Sequence, residues 1–279
     1  MKPVIKPQEL IQLKGKKEMV LIDARSGPDA KEKYQAEHLD GALYVDLEEE
    51  LAHKKSNPAD GGRHPLPDVS EFAEVLGRLG IKPESHVVVY DDKNGANAAA
   101  RFWWMLKAMG HSQVQVLDGG YNAAVTAGIP TSSKTETPAP YPAYPTSGWK
   151  LPTISIDEVE KIRQDADFLV IDVREPERFR GEREPIDLVA GHIPGAVNIP
   201  FSTNLDQNGA FLSPEDLNAK YTAAIGNRKP ENVVVHCGSG VTACHTLLAM
   251  DQAGIKIPKL YVGSWSEWSR NARPMATGN

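Results

Sequence analysis

Cysteine is almost missing from this 279-residue chain: only Cys237 and Cys244 occur. Two are too few for a disulfide-stapled secreted scaffold, and the usage fits a reducing compartment. No uninterrupted apolar run reaches the roughly 18 residues of a membrane span. The segment Met1 to Leu13 breaks its isolated apolar residues with Lys, Pro, Gln and Glu, so the apolar stretch of a signal peptide is absent too. A cytoplasmic location is expected. Blocks of Lys and Arg are also lacking, and 31 basic residues against 37 acidic ones leave a net charge of −6, which argues against nucleic acid or an anionic membrane as the main partner. What is present is ordinary: 41% hydrophobic residues argues against global disorder, and the length suits two domains with a core each. A small-molecule role is favoured.

The chain repeats itself. Val20-Leu21-Ile22-Asp23-Ala24-Arg25 resembles Leu169-Val170-Ile171-Asp172-Val173-Arg174, His38-Leu39-Asp40-Gly41-Ala42 resembles His192-Ile193-Pro194-Gly195-Ala196, and Val87-Val88-Val89-Tyr90-Asp91 resembles Val233-Val234-Val235-His236-Cys237. The order is kept, which implies two homologous halves. Between them Thr131 to Trp149 holds Pro138, Pro140, Pro142 and Pro145, a stiff extended composition. The expected organisation is a first domain over 1–130, a linker over 131–149 and a second domain over 150–279.

Short β-branched runs alternate with helical patterns. In the second half, Phe168 to Asp172, Ala196 to Ile199, Val233 to Cys237 and Lys259 to Val262 read as strands. Continuous apolar runs such as Val233-Val234-Val235 mark strands buried on both faces, as in a parallel sheet covered by helices. Helix starts are expected at Ser155 with Glu158, at Ser213 before Pro214, and at Asp68 with Glu71. The fold class is α/β, a doubly wound parallel sheet flanked by helices on both faces, occurring twice.

The turn after Val233-Val234-Val235-His236 carries the chemistry. In an open α/β sheet, ligands bind beyond the carboxyl ends of strands, and Cys237 stands there, before Gly238-Ser239-Gly240-Val241-Thr242-Ala243. A curled glycine turn backed by a helix N-terminus favours thiolate over thiol. The plain alternative is a buried structural cysteine, but a Gly-Ser-Gly turn suits exposure to a ligand better than burial, so Cys237 is expected to be a nucleophile. A phosphatase would carry an arginine six residues after its cysteine; here that residue is Ala243, so phosphatase chemistry is rejected. A zinc site from His236, Cys237, Cys244 and His245 fits no finger spacing. No metal or other cofactor is expected.

These motifs together resemble the two-domain rhodanese-like sulfurtransferases, over nearly the whole chain from about Val20 to about Arg273. The loop resembles that of members using 3-mercaptopyruvate, whereas thiosulfate users more often carry Cys-Arg-Lys-Gly-Val-Thr-Ala. Thiosulfate's two charges call for cations beside the cysteine, and Gly238 and Ser239 bring none. Ser239 offers a hydroxyl for the donor's ketone, or else is a small turn residue. The resemblance implies that the loop Gly238, Gly240, Val241 and Thr242 binds substrate, and that Arg178 grips its carboxylate. A second arginine is usual further along; the direct match is Ile186. Either Arg183 moves in, or one arginine serves alone, or Arg183 only pairs with Glu182 or Glu184. The resemblance also implies an acid and a histidine from the first half, matched by Glu48, with Asp46 close by, and His64, reaching the serine in a relay.

Asp23, Asp172, His38 and His192 recur in both halves and read as structural. Asp91 holds the place of Cys237 in the first half, so that half is expected to be a non-catalytic scaffold, with one glycine fewer to converge N–H groups. Cys244 reads as buried helix or as a resolving thiol. Trp103, Trp104 and Trp268 read as core, and Trp265 as core or pocket. The resemblance implies transfer of sulfur from 3-mercaptopyruvate through a Cys237 persulfide to a thiol, thioredoxin or cyanide. Thiosulfate as donor and a non-catalytic binding module are the alternatives.

Overall fold

The computed structural model describes every residue except Lys14, Lys16, Lys17 and Asn279. The chain divides into two compact units, one made of Met1–His53, Pro67–Lys150 and Gln207–Ala210, the other of Lys54–Leu66, Leu151–Asp206 and Phe211–Asn279. The short segment Lys54–Leu66 thus packs with the second unit although the sequence on either side of it belongs to the first.

In the first unit, five parallel strands lie in the order Val4–Ile5, Val114–Leu117, His86–Tyr90, Met19–Asp23 and Ala42–Tyr44. Successive side chains of a strand point to opposite faces. Val87, Val88, Val89 and Tyr90 are all fully buried, so both faces are covered. Helices Ala30–Ala36, Val69–Arg78, Ala98–Ala108 and Gly120–Thr126 supply the cover, and Trp103 and Trp104 are core residues of the third of these. The proline-rich stretch is laid along this unit. Thr131–Ser132 pairs antiparallel with His38–Leu39, the Tyr141 and Tyr144 N–H groups donate to the carbonyls of Gly77 and Ala73 (2.9 Å each), and Tyr144 is buried against His111.

The second unit has four parallel strands in the order Lys259–Leu260, Val233–His236, Leu169–Asp172 and Val197–Asn198. Val233, Val234 and Val235 are fully buried, again on both faces. Helices Ile156–Ile162, Pro214–Ile225, Ala243–Gln252 and Ser264–Trp268 flank the sheet. The protein is therefore α/β, with two parallel sheets flanked by helices. The three expected helix starts carry their caps: Ser155 and Asp68 form capping boxes with Glu158 and Glu71, and Ser213 accepts from the Asp216 N–H. The outer strands are shorter than the apolar runs suggest. The central strand stops at His236, which leaves Cys237 in the turn beyond its carboxyl end.

The repeated Asp-x-Arg motif has one structural job in both halves. Arg25 clasps Asp23 and donates to the carbonyl of Glu37 (2.6 Å); Arg174 clasps Asp172 and donates to the carbonyl of Gly191 (2.6 Å). Each arginine thus ties a strand end to the residue before the next repeated histidine. His38 and His192 donate from Nδ1 to the carbonyls of Tyr34 and Phe179 and stack on the same rings at 4.1 and 3.7 Å.

Candidate active site

Cys237 is held through its backbone. Its N–H donates to Ser264 Oγ (3.2 Å), and the carbonyls of Cys237 and Gly238 accept from the N–H groups of Trp265 and Ser266 at the start of helix Ser264–Trp268 (3.0 and 2.8 Å). Ser264, which the sequence reading passed over, sits at φ +55°, in the left-handed region that costs a non-glycine residue energy. Its hydroxyl also donates to the Tyr261 carbonyl (2.8 Å), so it links the turn to the neighbouring strand. Gly240 has φ +73°, and a Cβ there would fall 2.4 Å from the Val262 carbonyl oxygen, so only glycine fits. Val241 is buried, and Thr242 stands at the N-cap position of helix Ala243–Gln252 without a side-chain capping bond. Cys237 itself is 3% exposed, a correction to the open thiol that the Gly-Ser-Gly turn implies. Helix Ser264–Trp268 is bonded to the turn through its first N–H groups, and the Arg63 and Arg178 guanidinium groups lie beside Gly238.

Behind the cysteine, burial pushes the His236 imidazole below its ordinary range, although Asp172 at 3.8 Å pulls the other way. His236 is thus neutral at pH 7. Burial works against the Asp172 carboxylate as well, but Arg174 outweighs it and holds the group below the usual carboxylate range.

Ser239 and His64 come together: Oγ and Nδ1 are 2.8 Å apart, and both residues are buried. The histidine is delivered by Lys54–Leu66. Three bonds anchor that segment to helix Ser264–Trp268 and its end: Gly61 N–H to Glu267 Oε1 (3.0 Å), Arg63 N–H to Ser266 Oγ (3.0 Å), and Asn271 Nδ2 to the Ala59 carbonyl (2.9 Å). Gly62 permits the approach, since a Cβ there would lie 2.4 Å from the Gly263 carbonyl oxygen. The pair Gly61-Gly62 is the sequence signal for this close packing.

Arg178 lies beside the loop, its Nη2 3.3 Å from where a Gly238 Cβ would stand. Its guanidinium donates to Glu184 through Nε and Nη2 (3.0 and 2.8 Å) and reaches Asp187 at 3.4 Å. Burial would weaken its charge, but Glu184 raises it above the ordinary range, and Arg178 in turn holds the Glu184 carboxyl low against its burial. Asp187 is buried and also accepts from Arg63 Nε (3.2 Å) and Arg270 Nη1 (2.8 Å). Four guanidinium groups, Arg63, Arg174, Arg178 and Arg270, thereby share four carboxylates, Asp172, Glu175, Glu184 and Asp187. The cluster pairs as many carboxylates as guanidinium groups beside Cys237, and Arg63, Glu175, Asp187 and Arg270 are members that sequence reasoning did not single out. Arg183 is exposed and joins none of these pairs; Glu182 pairs instead with Arg180. Ile186 is 54% exposed. Glu48 is an exposed turn residue of the first unit, its N–H on Asp46 Oδ1 (2.7 Å).

Cys244 is fully buried, and its S–H donates to the Gly240 carbonyl (3.4 Å), bracing the loop. Trp265 is core: its indole N–H donates to the Val189 carbonyl (2.8 Å), and Arg174 lies over its ring. Among the described residues no cluster of metal-ligating side chains occurs, and no helix is long and apolar enough to cross a membrane.

At Asp91 one glycine fewer was expected to leave the turn less freedom to converge its N–H groups, yet they converge. Asp91 is fully buried, and its carboxylate accepts from the N–H groups of Lys93, Gly95, Asn97 and Ala99 (2.8 to 3.2 Å). Asn94 supplies the left-handed residue, at φ +56°, that Gly240 supplies in the second half. The turn survives without its second glycine because asparagine tolerates that conformation.

The family model for the rhodanese-like domain matches residues 6–127 and 155–271. The chain is 42% identical over 250 residues to a probable 3-mercaptopyruvate sulfurtransferase of Pseudomonas aeruginosa, covering 88% of this chain and 86% of that one. It is 37% identical over 251 residues to a thiosulfate sulfurtransferase of Gallus gallus, covering 88% and 83%. Among solved structures, the 3-mercaptopyruvate sulfurtransferase of Leishmania major superposes with a TM-score of 0.84 at 29% identity, over 98% of this chain and 75% of that one. With both halves matched in order, the chain belongs to the rhodanese-like family, as a tandem-domain sulfurtransferase of the 3-mercaptopyruvate and thiosulfate sulfurtransferase group.

Proposed function

We propose that the protein takes sulfane sulfur from 3-mercaptopyruvate onto Cys237 and passes it to a thiol, thioredoxin or cyanide. The Cys237 thiolate attacks the donor's sulfur, the carbon–sulfur bond breaks, and its electron pair passes into the enolate of pyruvate. The enolate carbon takes up the proton that the donor's S–H carried, which yields pyruvate and a Cys237 persulfide anion with no external oxidant. An acceptor thiolate or cyanide then attacks the outer sulfur and frees Cys237. With the His64 proton on Nδ1, the ring donates to Ser239 Oγ and the serine hydroxyl is free to donate to the ketone oxygen as enolate charge builds.

The observation carrying this reading is the 2.8 Å pair of Ser239 and His64 two residues beyond Cys237. A hydroxyl donor serves a departing enolate and has no comparable use for departing sulfite. Arg178 is the carboxylate-binding residue in this scheme, Gly238, Gly240, Val241 and Thr242 form the substrate loop, and Arg183 has no role. Glu48 keeps only the part that family resemblance gives it. The first unit, with Asp91 where the second has Cys237, is the non-catalytic half. Neither cysteine is in a disulfide, and a reducing cytoplasm suits a chemistry that needs the Cys237 thiol.

Thiosulfate is the second reading, favoured by the guanidinium groups of Arg63 and Arg178 near Gly238. Mixing the protein with each donor separately and weighing it by mass spectrometry decides: a gain of one sulfur from mercaptopyruvate but little from thiosulfate is expected, and the reverse overturns the proposal.

A further inference from the structure

Where the resemblance places a second arginine, this chain has the exposed Ile186, and two more exposed aliphatic side chains, Leu188 and Val189, follow it. Leu188, at 73%, is the most exposed large hydrophobic residue among the described ones. Met275, exposed as well, precedes Ala276, which pairs with His192 a few residues further along. The strip is held firmly. The N–H groups of Ile186 and Asp187 both donate to Glu184 Oε1 (3.0 Å each), and the Val189 carbonyl accepts from the Trp265 indole (2.8 Å). Between the aliphatic residues, Asp187 is buried among Arg63, Arg178 and Arg270. The strip also begins at the site: Asp187 Oδ2 stands 3.6 Å from where a Gly238 Cβ would be, one residue beyond Cys237. At its edge Arg183 is exposed and joins none of the ion pairs of the cluster.

We propose that Ile186, Leu188 and Val189, with Arg183 at their edge, are the landing surface for a protein acceptor, one whose thiol lies in an apolar surface that carries a carboxylate. The inference rests on the proposed Cys237 persulfide. Contiguous exposed aliphatic side chains rimmed by polar groups mark protein contacts on soluble chains. These are fixed before any partner arrives, so little order is lost on binding. Cyanide or a small thiol has no use for such a surface, and a net charge of −6 speaks against an anionic membrane. Place favours the acceptor over a second copy of the chain. Cys237 is only 3% exposed, so the acceptor's thiol has to come in to the sulfur, and it does so beside Gly238, where the strip begins. The unpaired charge of Arg183 then favours a carboxylate near that thiol. In the transfer the acceptor thiolate attacks the outer sulfur, the sulfur–sulfur bond breaks, and Cys237 leaves as thiolate while the acceptor carries the persulfide away.

Reduced thioredoxin is the protein probe and cyanide the small one, each given to the full chain after Cys237 has been loaded with sulfur from either donor. The quantity read, by quenched mass spectrometry, is the ratio of the second-order rate constants for loss of that sulfur to thioredoxin and to cyanide. Leu188→Ser is expected to lower the ratio about 10-fold by slowing transfer to thioredoxin, with the cyanide rate unchanged. Arg183→Glu is expected to lower it too, more at low salt than at high. An unchanged ratio in either variant overturns the inference, as does an equal loss with both acceptors, which would make the strip a support of the site. A concentration-dependent dimer of the wild type that Leu188→Ser dissociates would make the strip a contact between two copies and likewise sinks it. If neither donor puts sulfur on Cys237, the proposed function falls. The Kd of thioredoxin by calorimetry, for wild type and Leu188→Ser, then still decides: about 10-fold weaker binding by the variant supports the surface, and equal or undetectable binding removes it.

Discussion

His64 and Ser239 are joined by a 2.8 Å hydrogen bond although 175 positions separate them in the chain, and both are buried. The bond is one of those that hold Lys54–Leu66 on the second unit, beside the bonds of Gly61, Arg63 and Ala59. If the serine hydroxyl serves the departing enolate, Ser239→Ala lowers kcat for mercaptopyruvate by roughly 100- to 1,000-fold, the usual cost of a lost oxyanion donor. The same variant loses much less with thiosulfate, which releases sulfite. Rapid-quench measurement of persulfide formation from each donor checks this, and equal losses would assign the serine to the fold rather than the chemistry.

The proposed function gives the two cysteines separate roles. Cys237→Ser is expected to abolish persulfide formation. Cys244→Ser retains most activity, because a serine hydroxyl can still donate to the Gly240 carbonyl that the Cys244 thiol now braces. Mass spectrometry of each variant after exposure to donor, with circular dichroism to confirm folding, separates them. A folded Cys244→Ser variant that took up no sulfur would reverse the assignment.

Asp91 tests whether a cysteine at a strand end makes a site by itself. Four N–H groups converge on its carboxylate, yet burial still raises Asp91 above the usual carboxylate range. A thiol in its place meets the same burial, which opposes thiolate. Asp91→Cys in a Cys237→Ser background should therefore show an alkylation pKa at or above that of an ordinary thiol, and no transfer from mercaptopyruvate. Orphaning some of the four N–H groups also costs about 1 to 3 kcal/mol, visible as a lower urea midpoint. Substantial turnover by the double variant would falsify the view that the surroundings of Cys237 create the site.

Acid stability follows from His236. Burial lowers its folded pKa, so between the unfolded value of about 6.5 and that lower value only the unfolded chain takes up a proton. The unfolded state then binds more protons, and stability falls as pH drops through that window. Asp172, held low by Arg174, adds a further loss at lower pH, as it is protonated through its folded pKa. The urea midpoint is expected to fall from pH 7 to pH 5, and His236→Gln should flatten that fall. An unchanged slope in the variant would remove His236 from the account.

Much of the fold was legible because it is local. The runs Val87-Val88-Val89 and Val233-Val234-Val235, the caps at Asp68, Ser155 and Ser213, and the paired Asp-x-Arg and His motifs each lie within a few residues, and periodicity and capping act over that range. The position of Cys237 at a strand end followed from the same signals. Its burial did not, nor did the bonds of helix Ser264–Trp268 to the turn or the arginines beside Gly238, which come from elsewhere in the chain.

The sequence by itself determined the two α/β halves, the glycine turn after Cys237, and the aspartate that takes the place of that cysteine in the first half. Only the tertiary structure decided which charges surround Cys237: that Arg183 stays out and Arg63 comes in, that Asp187 gathers three guanidinium groups, and that Asp91 fills its own turn. The reason is physical. A hydrogen bond between Arg63 and Asp187 spans 124 positions, and what selects it is the packing of Gly61 and Gly62 against helix Ser264–Trp268, which leaves no periodic trace in the residues it joins.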